Sequence, residues 1–102
     1  MFKVVVEFTR TDTSANFFYQ EYENHRIVTT LKDKFESHPG FEGKEILIDE
    51  DHKIAIAMNF KTAEDFLDFT KNNQALLDER LELIKHWCST NNQTFDHKFV
   101  QG

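Results

Sequence analysis

Three observations along these 102 residues predict an α+β fold, a ferredoxin-like βαββαβ plait with residues 1–102 forming one domain. The central stretch from His38 to Phe69 reads as a Pro-Gly turn, a strand, an acidic turn, a second strand and a capped helix. A strand-helix pair precedes this unit, and a helix-strand pair follows it.

The first strand spans Phe2 to Thr9, because Phe2, Val4, Val6 and Phe8 alternate with Lys3, Val5, Glu7 and Thr9. Asp12, Thr13 and Ser14 then offer side-chain oxygens to the free amides of a helix start. The helix is expected from about Ala15 to Ser37. Phe17, Phe18, Tyr22, Ile27, Val28, Leu31 and Phe35 give it one apolar stripe at three-four spacing. Pro39 and Gly40 stop it. The second strand covers Phe41 to Ile48, with Ile46 and Ile48 alternating with Glu45 and Leu47. Asp49 to His52 turn the chain into a third strand, Lys53 to Phe60. There Ile54, Ile56, Met58 and Phe60 share one face, and Ala55, Ala57 and Asn59 share the other. Thr62 with Asp65 three residues on is close to a capping box, and Phe66, Leu67 and Phe69 give the helix it opens an apolar side. Lys71 to Gln74 interrupt that pattern before Leu76, Leu77, Leu81, Leu83, Ile84 and Trp87 resume it. The interruption fits one bent helix or two segments meeting near Asn72. Thr94 to Val100 is the last strand.

Composition excludes several function classes. Eighteen acidic against twelve basic residues leave a net charge of −6, which repels a phosphate backbone, so no nucleic-acid partner is expected. The single cysteine, Cys88, rules out an internal disulfide, and no Cys/His cluster has zinc-site spacing. Cys88 has no basic or helix N-terminal setting to activate it and reads as a buried thiol. The apolar start from Phe2 to Val6 is too short for a signal peptide or a membrane span, so a cytoplasmic protein without a membrane partner is expected. The acidic run Asp49-Glu50-Asp51 lacks the glycine and closing Glu of a calcium loop and reads as a solvated turn. No phosphate-binding or nucleophile motif is present, and no cofactor is expected.

Four side chains are candidates for a site. Tyr22 and His25 fall three apart on the first helix, where a Tyr-His pair could deprotonate a phenol. Asn59 lies on the small-residue face of the third strand, and a buried amide there needs a partner. Trp87 is a packing anchor or a ring for a flat ligand. A pocket, if present, is expected between the sheet and the first helix, bordered by Tyr22, His25, Asn59 and Trp87, with His25 and Asn59 as the catalytic candidates. His97 is expected to sit beside aromatic rings, and His38 and His52 to be solvated at turns.

Pro39-Gly40-Phe41, the strand ending in Met58-Asn59-Phe60, and Thr62-Ala63-Glu64-Asp65-Phe66 resemble the antibiotic biosynthesis monooxygenase-like members of the dimeric α/β-barrel superfamily. The motif covers about thirty residues, all of turn and cap type. The resemblance implies a homodimer whose two four-stranded sheets close into one barrel, with a pocket in each subunit between sheet and helices. Some members oxidise polycyclic phenols without metal or flavin, and others degrade haem. The haem-degrading members use an Asn on the first strand and a Trp on the sheet. This chain has no Asn on its first strand, and its one Trp lies on a helix. No catalytic constellation stands out, so the reading is a non-catalytic interaction or small-ligand-binding module for a small apolar or aromatic molecule. The alternative is a cofactor-independent monooxygenase-like enzyme acting on a planar aromatic compound.

Overall fold

The computed structural model describes all 102 residues. Four strands, β1 (Phe2–Arg10), β2 (Phe41–Asp49), β3 (Lys53–Phe60) and β4 (Gln93–Gln101), form one antiparallel sheet in the order β2-β3-β1-β4. Helices α1 (Phe18–Glu21) and α2 (Arg26–Ser37) connect β1 to β2, and α3 (Ala63–Asn72) and α4 (Gln74–Thr90) connect β3 to β4. This is the ferredoxin-like α+β plait. All helices pack on one face of the sheet, and the other face carries none.

The expected first helix is broken. Asp12 does not open it; its Oδ1 accepts from the Ser14 amide at 2.9 Å and closes a local turn instead. Arg10 braces the loop by donating to the Ala15 carbonyl at 2.6 Å and lying over the Phe17 ring. The single turn α1 then ends at Tyr22, and α2 starts afresh after His25. His25 is extended, and its Nδ1 accepts from the Ile27 amide at 3.1 Å, so the imidazole acts as the N-cap. The interruption after α3 proves to be a second helix start. Asn73 leaves the helical region and donates its side-chain amide to the Phe69 carbonyl at 2.9 Å. Thr62 caps α3 as its sequence suggests, accepting from the Asp65 amide at 3.1 Å. Leu67 is an exception to the expected apolar side and is exposed.

Two turn details fix β2. Gly40 approaches Asp65 so closely that a Cβ would lie 2.3 Å from the Asp65 side chain, which ties the Pro-Gly turn to the α3 cap. Register shifts then occur between Phe41 and Gly43 and between Ile46 and Ile48. Gly43 absorbs the first with φ 112°, a conformation that side chains resist. The second breaks the strict alternation expected of this strand: Ile46 pairs with Ile56, and Ile48 pairs with Ala55 on the opposite face. His38, expected to be solvated, is largely covered. It packs edge-on against Phe60 and Phe69, accepts from the Gly40 amide at 3.0 Å and meets Asp68 at 2.9 Å.

The helix-side core has two ends. Phe8, Phe17, Phe18, Ile54, Ile56, Ile84 and Cys88 fill one. Leu31, Phe35, Phe60 and Phe69 fill the other, where Phe35 and Phe69 stack at 4.1 Å. The larger cavity is lined by residues of both ends.

Candidate functional site

A cavity of about 670 Å³ opens between α1, α2 and the sheet, and eleven of its eighteen lining residues are hydrophobic. Its size falls in the range of ordinary small-molecule sites. Val6 and Phe8 of β1 and Ile56 and Met58 of β3 form the floor, because the even-numbered residues of both strands face the helices. Phe18, Val28, Leu31 and Phe35 supply the roof from α1 and α2. Exposed Glu23, Asn24, Lys32, Glu36 and Lys44 stand at the rim. A second space of about 250 Å³ adjoins it beneath α3 and α4, and both are lined by Val6, Phe35, Met58 and Arg80.

Arg80 is the polar group of the interior. The residue as a whole is only part-covered, but its Nε is shut off from solvent and has no hydrogen-bond partner. None of the ion pairs in the structure includes it. Burial pulls its pKa below the ordinary arginine value, although a guanidinium keeps its charge at neutral pH. Its two carboxylate neighbours in sequence are otherwise engaged: Asp78, which shares the lining of the smaller space, accepts from Gln74 at 2.8 Å, and Glu79 pairs with Arg26 at 2.6 Å. His97 of β4 lines the smaller space with Arg80, and burial, then the Arg80 charge, pull its pKa down, so it is neutral at pH 7. Its ring also sits edge-on to Phe95 at 5.7 Å, the aromatic setting expected for it. Tyr19 lines the larger cavity. Burial, with the Asp49 charge next, pushes its phenol up and keeps it protonated. The Cys88 thiol is likewise pushed up by burial, away from the thiolate that nucleophilic chemistry needs.

The four expected site residues separate. Tyr22, His25 and Trp87 come together, with ring centres 5.5 Å apart for Tyr22–His25 and 5.6 Å for Tyr22–Trp87. This cluster is a clasp outside the cavity lining: the Trp87 indole donates to the Asn16 carbonyl at 3.2 Å and ties the β1–α1 loop to α4. His25 is committed to its cap. Asn59 does not join them. It lies on the helix-free face, where it accepts from Lys3 at 3.1 Å and donates to Glu45 at 3.0 Å. The pleat dictates this, because Ala55, Ala57 and Asn59 point away from the core face of β3. The pocket therefore lies where it was expected, between sheet and first helix, but its border does not consist of Tyr22, His25, Asn59 and Trp87. No three His, Cys, Asp or Glu side chains gather as a metal site requires, and no helix is long and apolar enough to cross a membrane.

No protein-family model matches the chain, and no curated protein matches it. Solved structures do. SnoaB, a cofactor-independent oxygenase from Streptomyces nogalater, is similar with a TM-score of 0.61 at 16% identity, over 99% of this chain and 91% of that one. A dimeric ferredoxin-like protein from an uncultured marine organism is similar with a TM-score of 0.58 at 11% identity, over 100% of this chain and 94% of that one. At such identities the likeness is one of fold, and it agrees with the fold-level resemblance to monooxygenase-like α/β barrels read from the turn and cap motifs.

Proposed function

We propose that this protein is a non-catalytic small-ligand-binding module that works as a homodimer in the cytoplasm. The observation that carries the reading is the apolar cavity of about 670 Å³ beneath α1 and α2. An apolar or aromatic molecule placed there would exchange water for Val6, Phe8, Phe18, Ile56 and Ile84. The lining holds no nucleophile paired with a base: Tyr19 is held protonated, and the carboxylates stand at the exposed rim. Dimerisation is supported by the dimeric ferredoxin-like neighbour. The net charge of −6 speaks against a nucleic-acid partner.

Titration with the uncharged fluorophore N-phenyl-1-naphthylamine tests the cavity. Saturable, one-per-chain enhancement is expected, with Ile56→Trp blocking it by filling the floor. Absence of any saturable signal with the wild-type protein removes the binding-module reading. Sedimentation equilibrium at micromolar concentration is expected to give twice the chain mass.

A further inference from the structure

The cavity has an apolar floor and one interior cation without a counterion, Arg80; Lys44, also unpaired, is exposed at the rim. We infer that its ligand is an organic monoanion, an apolar or aromatic body bearing one carboxylate, with the carboxylate held by Arg80. This rests on the binding-module reading above and adds the head group to it.

The argument starts from Arg80 itself. A donor of a charged group sealed from water without a partner is costly, and the usual outcome is a paired or hydrogen-bonded group. Here the Nε is closed off and unbonded, and no ion pair reaches the guanidinium. The fold had carboxylates to offer on the same helix. Asp78 is instead tied to Gln74, and Glu79 to Arg26. By contrast, two cations of the helix-free face are paired, Lys3 with Glu45 and Lys98 with Glu7.

Position completes the case. Arg80 lines both the larger and the smaller space, together with Val6, Phe35 and Met58, so a group bound to it has apolar walls on two sides. A guanidinium presents a planar fork of donors that a carboxylate matches with two parallel hydrogen bonds. The charge count selects the head group. The other cations of the larger cavity, Lys32 and Lys44, are exposed at its rim, which leaves one positive charge inside and suits one negative charge. A phosphate dianion would remain undercompensated there, and the net charge of −6 disfavours a polyanion. Neutral His97 beside Arg80 adds a hydrogen-bonding edge without a competing charge.

Calorimetric titration with 2-naphthoate and its neutral isostere 2-naphthamide tests the proposal on the wild-type protein, Arg80→Met and Arg80→Lys. The wild type is expected to bind the carboxylate at least about tenfold more tightly than the amide. Arg80→Met should erase that preference while still binding N-phenyl-1-naphthylamine, which shows that the cavity persists. Arg80→Lys should keep part of the preference, since it retains the charge and loses the fork. Equal affinity of the wild type for acid and amide overturns the proposal, and so does a preference that survives in Arg80→Met. Binding of the neutral fluorophore with no binding of 2-naphthoate overturns the head group and leaves the binding-module reading intact. Failure of both on the wild type overturns the two together.

Discussion

The two faces of the sheet treat charge in opposite ways. On the helix-free face the charged side chains flanking Val5 and Ala57 are paired: Lys3 meets Glu45 and Asn59, and Lys98 meets Glu7 at 2.8 Å. The Lys3 bond, then Asn59, lowers the Glu45 pKa, and the Lys98 bond lowers that of Glu7. Val5, Ala55 and Ala57 are buried beneath these pairs although no helix covers them. On the helix-covered face, rings and aliphatic side chains fill both ends, and the one guanidinium between them has no partner. The polar groups over the centre of the open face are thus matched within a single chain, and the sealed Nε of the covered face is not. That difference is what the proposed ligand site on the covered face rests on.

Adjacent residues on opposite faces give the largest contrast. Phe60 is wholly buried among Phe41, Phe66 and Phe69, and Phe60→Ala should cost about 3–5 kcal/mol in urea unfolding. Asn59→Ala removes two hydrogen bonds in a part-exposed network and should cost on the order of 1 kcal/mol. Equal costs would break the comparison, because the open face would then be a second core.

A smaller effect sits at the turn that joins the faces. Gly40→Ala forces a Cβ onto the Asp65 side chain and should cost about 1–3 kcal/mol, part of which Gly40→Ala combined with Asp65→Ala should recover. No recovery would show that the strain lies in the turn itself.

The smallest expected effect is a pH slope from the covered face. The folded pKa of His97 lies below its unfolded value, so the unfolded chain takes up the proton first as pH falls. Stability should therefore decline as pH drops below about 6.5, the unperturbed histidine value, and level off for this group below its folded pKa. Arg80→Met removes the second cause of the shift and should flatten that slope, which unfolding midpoints between about pH 5 and 7 would record. An unchanged slope would separate His97 from Arg80.

The strands and the α3 cap were legible because alternation and the Thr62–Asp65 spacing are local signals. The break at Tyr22–His25 was not, because the apolar stripe runs through it and His25 caps with an imidazole nitrogen rather than a hydroxyl or carboxylate. The bulges in β2 depend on pairing with β3, which periodicity does not carry. The face of Asn59 could not be assigned from β3 alone, since either side of a strand may be the covered one. Arg80 was hidden in the charged run Asp78-Glu79-Arg80, which reads as a solvated face. One signal was there: Arg80 lies three after Leu77 and four before Ile84, within the apolar stripe of α4.

The central claim is that Arg80 burdens the empty protein and serves a ligand. Urea unfolding of the ligand-free wild type and of Arg80→Met, at equal pH and salt, tests it most directly. The account predicts a higher midpoint for Arg80→Met, because an apolar side chain of similar length replaces a part-covered guanidinium whose sealed Nε has no partner. A midpoint lowered by more than about 1 kcal/mol in stability would mean that the guanidinium is already satisfied within the fold, and would contradict the account.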